Sequence, residues 1–220
     1  MTEPADPTPG PQPGTGRPSR GCSPGCLILP ILVVGLAVWW LYPQTQPHAS
    51  DTPLTSSSDL SDVCSSGFAR EYFPDAAAYR GPGPHTVEIL EQQDSSAGGY
   101  YSSALLFAGP LDDPIPEHWR TADDPRAVQV VACSKRVDEA EQVKTCHFDS
   151  PEPKDVPMYL GTYEVILYEV RTGKEITRST MPGDGTICPT YVTYLGEEPE
   201  VFTSLTLAQY RRVLGRHVDA

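Results

Sequence analysis

Apolar residues follow three rhythms along this chain. Residues 26–42, CLILPILVVGLAVWWLY, are continuously apolar and uncharged. Beyond about residue 60, short runs alternate apolar and polar positions, the period of a half-buried strand. Candidate strands fall at 86–90 and 101–107, separated by the turn-forming DSSAGG, and at 127–135 and 142–148, a hairpin expected around 138–141. A second hairpin is predicted from 162–170 and 175–181, with Arg-Thr-Gly-Lys as its turn. In TYEVILYEV both alternate faces are largely apolar, so this strand should lie inside its sheet rather than at an edge. A weaker strand is expected at 191–195, and residues 109–126 form a long loop rich in proline and aspartate.

The period lengthens at the end. In TLAQYRRVLGRHV (206–218), Leu207, Tyr210, Leu214 and Val218 recur at helical spacing. Thr206 with Gln209 three residues later fits a capping box, and Arg211, Arg212 and Arg216 fall off the apolar stripe. A further helical turn is expected within 70–79, interrupted at Pro74.

The continuous run has no polar stripe, which a buried amphipathic helix would need. Its 17 residues span roughly 25 Å as a helix. Extended back to Ser23, the stretch approaches the roughly 20 apolar residues that a bilayer core requires. Trp39, Trp40 and Tyr42 cluster at one end, as interfacial aromatics do. No small-x-small cleavage pattern follows the run, so it is expected to stay as an anchor rather than leave as a signal peptide. Arg17 and Arg20 flank its N-terminal side, while the next basic residue is Arg70. The positive-inside rule then places the N-terminus in the cytoplasm and the rest outside. Cys22 and Cys26, at the inner boundary, are expected as reduced thiols.

Composition divides the remainder. Residues 1–20 contain six prolines and three glycines with almost nothing apolar, so 1–22 is expected as a disordered cytoplasmic tail. Residues 43–60, rich in Pro, Ser and Thr, are expected as a flexible linker containing a solvated His48. The domain at 61–220 is long enough for a real core. The chain's 29 acidic and 16 basic residues, less four acidic and two basic ones before residue 61, leave 25 and 14 here, a formal charge of −11. That balance excludes nucleic acid as a natural partner.

Outside the membrane, the even set Cys64, Cys133, Cys146 and Cys188 is expected as two disulfides. Three pairings are possible. The predicted hairpin selects Cys133 with Cys146, symmetric about VDEAEQ, and leaves Cys64 with Cys188.

No HExxH, nucleophile elbow, P-loop or dinucleotide fingerprint occurs. His85, His118, His147 and His217 share no two-ligand spacing, and no cofactor or metal is expected. Asp112-Asp113 and Asp123-Asp124 are expected as solvated loop carboxylates, and Pro182-Gly183-Asp184-Gly185 as a tight turn. The aromatics Tyr159, Tyr163, Tyr168, Tyr191, Tyr194 and Phe202 are expected to pack the core.

Two stretches, FPDAAAYRGPGPH (73–85) and LGTYEVILYEVRTG (160–173) followed by Cys188-Pro189, resemble the extracytoplasmic domains of single-span membrane proteins of high-GC Gram-positive bacteria, a group without a characterised activity. The resemblance implies a location and no site residues. The expected fold is therefore α+β: a transmembrane helix at 23–42 and a β-rich, disulfide-stabilised external domain ending in an amphipathic helix. The expected partners are the bilayer and an envelope protein. The expected role is binding or scaffolding at the cell envelope; the alternatives are an envelope enzyme with dispersed catalytic residues and a sensor signalling to the N-terminal tail.

Overall fold

A computed structural model describes residues 46–65, 70–93, 99–104, 115–149, 152–190 and 199–220. The chain divides into units 1–43 and 44–220, and every described residue belongs to the second. The expected span at 23–42, with Arg17, Arg20, Trp39, Trp40 and Tyr42, lies outside the described residues, as do Cys22, Cys26 and the tail. Among the described residues no helix is long and apolar enough to cross a membrane.

The domain is α+β and β-rich. Its elements are β1 (His48–Ala49), a 3-10 turn (Ser57–Leu60), α1 (Ser61–Cys64), β2 (Glu71–Tyr72), β3 (Val87–Gln93), β4 (Tyr100–Ser103), 3-10 turns at Glu117–Trp119 and Pro125–Ala127, β5 (Val130–Phe148), β6 (Lys154–Glu169), β7 (Glu175–Pro182), β8 (Val201–Phe202) and α2 (Leu207–Val218). Among the described residues one sheet runs in the order β4-β3-β5-β6-β7, with β8 pairing β6 in parallel. Strands β3 and β5 are parallel, and the other neighbours on this path are antiparallel. Strand β6, which carries TYEVILYEV, is paired on both sides, as its two apolar faces require. The β6–β7 turn places Gly173 at φ +66°, a conformation glycine adopts without the Cβ penalty.

Period-two alternation sends successive residues to opposite faces of the sheet. On one face Val87, Ile89, Val130, Ala132, Val165 and Leu167 pack against Tyr210, Leu214 and Val218 of α2, with Trp119 alongside. Thr206 and Gln209 form the expected capping box. The Tyr210 hydroxyl lies 2.8 Å from Ser134 Oγ, which in turn donates to the Leu90 carbonyl. The far end of the helix is tied down as well. Trp119 Nε1 donates to Asp219 Oδ1 at 2.7 Å, His118 Nε2 lies at the same distance from that oxygen, and Tyr79 donates to the His217 carbonyl. Burial pushes the Asp219 carboxyl up, but the hydrogen bonds from His118 and Trp119 outweigh it and hold the group below the usual range.

The opposite face is covered by the N-terminal segment. Leu54, Leu60, Val63 and Phe73 pack on Leu90, Val131, Ile166 and Tyr168. This corrects the expected linker at 43–60: from Gln46 onward the segment belongs to the folded domain. His48 and Ala49 pair in parallel with Glu71 and Tyr72, and Leu54 and Leu60 are buried. The serines serve local structure: Ser56 caps the 3-10 turn reciprocally with Asp59. Two well-placed leucines anchor an otherwise polar stretch.

Three further expectations change. Residues 127–148 form no hairpin; β5 is one strand running through VDEAEQ. That stretch has none of the Gly or Asn-Gly residues a tight turn needs, and the antiparallel partner of β5 is β6, which starts at Lys154. Cys133 and Cys146 therefore sit thirteen positions apart on one strand, roughly 40 Å at about 3.3 Å per residue, and cannot be bridged. The observed disulfides are Cys64–Cys133 and Cys146–Cys188, with Cα separations of 5.4 and 5.7 Å. In place of a helical turn within 70–79, the chain forms β2 and a bend. The candidate strands at 86–90 and 101–107 are found as β3 and β4, paired antiparallel, with β4 described over 100–103, and the weak strand at 191–195 lies outside the described residues.

A candidate ligand trench on the half-covered sheet face

The face under the N-terminal segment reads as three rows crossing the strands. In the first, Glu88, Val131 and Tyr168 are register partners, and in the second, Ser103, Leu90, Cys133, Ile166 and Arg178. The third row holds Tyr101 opposite Gln92 and Lys135 opposite Glu164. Because parallel pairing sets Glu91 beside Ser134, Gln92 and Lys135 are one step further on, so the row is continuous. The first two rows are mostly apolar and lie under α1 and its neighbours. The third is polar, and among the described residues it lines an open depression together with Ile166 and Tyr168.

What remains is an open trench of about 740 Å³. Its floor is Gln92, Lys135, Glu164, Ile166 and Tyr168, and Arg178 closes the β7 end. One wall is Ser61, Ser65, Arg70 and the Cys64–Cys133 disulfide; Tyr100 and Tyr101 of β4 form the opposite end. The disulfide thus holds α1 on the central strand and shapes the trench wall.

The charges form a connected set. Arg178 donates to Glu164 Oε2 at 2.7 Å and grips Glu175 with two bonds of 2.8 and 3.1 Å. Lys135 Nζ is 3.7 Å from the same Glu164 oxygen. Hydrogen bonding from Arg178 draws the Glu175 carboxyl below its ordinary value, and the same contact raises the Arg178 guanidinium. The Arg70 guanidinium lies 4.7 Å over the Tyr168 ring. Burial, together with Tyr168 and Glu164, pushes the Tyr101 phenol up, so it remains a neutral hydrogen-bonding group at neutral pH.

Elsewhere the side chains named from the sequence serve structure. Tyr163 is buried and donates to the Thr203 carbonyl, while Tyr159 sits near Phe202, over which Arg136 stacks. Tyr191, Tyr194, Asp112 and Asp113 lie outside the described residues. Asp124 caps the turn before Arg126 and pairs with it. His85 is buried beside Tyr79 and Gln129, and His147 is an exposed residue whose hydrogen bond to Asp155 raises its imidazole. Asp184, in the Pro-Gly-Asp-Gly segment, accepts from the cap residue Thr206. Of the four cysteines, Cys64 and Cys133 border the trench, and Cys146–Cys188 braces the distal β5–β6 ribbon beside Val156, Met158 and Val201. Among the described residues no group of three His, Cys, Asp or Glu side chains could hold a metal.

Reading the sequence missed Arg70, Gln92, Tyr100, Tyr101, Lys135, Glu164 and Arg178. One signal was present: Glu164 is a charged residue inside the most apolar strand. Assigning it to a site needed the register of four other strands. No family model, curated protein or solved structure matches the chain.

Proposed function

We propose that this chain is a single-span membrane protein whose external domain acts as a binding or scaffolding module of the cell envelope, taking its ligand in the cross-strand trench. The observation that carries the reading is the trench itself, where aromatic and charged side chains from four strands, with Gln92 from a fifth, converge on a sheet face left open among the described residues. A stable fold does not need such a row left open. The anchor at 23–42, inserted with Arg17 and Arg20 inside, holds the domain at the outer face. Two disulfides in a small domain agree with an oxidising compartment. The charge of −11 keeps the domain off anionic headgroups, so the trench stays presented rather than laid on the bilayer.

Two measurements test this. Protease added to intact cells digests the 46–220 region if it is external; full protection overturns the placement. Crosslinking and pull-down from intact membranes recovers a specific partner with the native chain and loses it with Tyr101→Ala/Lys135→Gln. Equal recovery by both removes the trench as the binding site.

A further inference from the structure

Shape, charge and chemistry of the trench define a class of ligand, an inference that rests on the trench being the binding site. We propose that the trench binds a linear acidic glycan, with carboxylates of the chain at Arg70 and Lys135 and a sugar ring against Tyr101.

The shape favours a chain. From β4 to β7 the trench crosses four inter-strand spacings, roughly 19 Å at about 4.8 Å each. It is an open channel rather than an enclosed pocket, with Tyr100 at one end and Arg178 at the other. A compact metabolite would leave most of that length empty.

The charge favours an acid. On a domain with formal charge −11, the trench lining carries Arg70, Lys135 and Arg178 against Glu164. Arg178 is consumed by Glu164 and Glu175. Lys135 is not: its 3.7 Å approach to Glu164 is the longer of two claims on one oxygen, the shorter being Arg178 at 2.7 Å. Arg70 stacks on Tyr168, and although its charge helps to lower the Glu175 carboxyl, that carboxyl is already gripped by Arg178. The Arg70 guanidinium therefore keeps the planar, two-pronged donor edge that matches a carboxylate. Two cations with spare capacity in one trench are an anion-recognition set.

The lining favours a sugar over a peptide. Extended peptides bind sheets by adding a strand to an edge. Here the floor strands β3, β5 and β6 are paired on both sides and their backbone groups are occupied; the edges lie at the two ends of the trench. Recognition must then come from side chains. Tyr101 offers a ring for the C–H face of a pyranose, and Gln92 and Glu164 can pair with hydroxyls.

The experiment is calorimetric titration of the full chain in non-ionic detergent with oligogalacturonate, its methyl ester and poly-glutamate. Oligogalacturonate should bind. Methyl esterification, Arg70→Gln and Lys135→Gln should each weaken it about tenfold, the worth of a charge-assisted hydrogen bond, with near-UV dichroism unchanged. Binding that is indifferent to both variants, or poly-glutamate binding as well through the same residues, overturns the glycan assignment. If no saccharide binds but Tyr101→Ala/Lys135→Gln still abolishes partner capture from membranes, the ligand class falls and the trench stands as a protein-binding site. If neither saccharide binding nor partner capture depends on the trench, both readings fall.

Discussion

The two faces of the sheet are built from the same strands and finished differently. The face under α2 is closed by a helix whose stripe matches it in length, whose hydroxyl bonds Ser134, and whose end is held by Trp119 and His118. The other is covered by a segment with little regular structure, held by a disulfide and a few leucines, and only over two of its three rows. Helical cover follows from periodicity. Irregular cover needs a covalent staple and leaves a polar row open, and that row is where binding chemistry collects.

The comparison can be broken most severely at the staple. Replacing Cys64 and Cys133 together by alanine removes a bridge spanning 69 residues, worth about 4 kcal/mol in the chain-entropy model. Thermal unfolding should show that loss, with the N-terminal segment becoming the first site of limited proteolysis. A double variant as stable as the native chain would show that leucine packing alone holds the cover. On the opposite face, Leu214→Ala should cost about 3 kcal/mol in denaturant midpoint experiments, because the side chain is fully buried.

A third test uses pH. Glu88 is buried, Thr121 donates to its Oε1, and Ser103 and Thr121 only partly offset the cost of its burial. Burial pushes its carboxyl above the ordinary value. The folded state therefore holds the proton more tightly than the unfolded chain does. The resulting stabilisation is complete below the ordinary glutamate pKa and is lost as pH rises through the folded value. Glu88→Gln imitates the protonated form. It should melt at a higher temperature than the native chain at neutral pH, with the gap closing in acid. A gap that is constant across the range would remove ionisation as its cause.

The smallest effect is expected in the trench. Arg70→Gln and Lys135→Gln should change stability by no more than about 0.5 kcal/mol, since Arg70 meets the core only by stacking on the Tyr168 ring and Lys135 is held only by a long ion pair. A large destabilisation by either would make the trench part of the scaffold.

Much of the scaffold was legible. Helix α2 was predicted with its cap and stripe because helical period and capping are local and span a few residues. The β6–β7 hairpin carried its turn in Arg-Thr-Gly-Lys. The disulfide partners were not legible because VDEAEQ reads as a turn between symmetric cysteines but lies within one strand. A symmetric pair of cysteines outweighed the missing glycine, and one long strand moved Cys133 and Cys146 to opposite ends. The folded 46–60 segment was hidden by its composition, since Leu54 and Leu60 are few among serines and threonines. The trench was not legible at all: Arg70, Gln92, Tyr101, Lys135, Glu164 and Arg178 are dispersed over more than a hundred positions.

By itself the amino-acid order determined what short-range physics decides: an apolar run of membrane-spanning length, an acidic domain, alternating strands, a capped helix and an even set of cysteines. Tertiary structure alone decided which cysteines meet, how far the cover reaches across the second face, and which polar side chains share a row. Those depend on strand register, where a one-residue slip sends every side chain to the other face. Register is settled by contacts between residues distant in sequence.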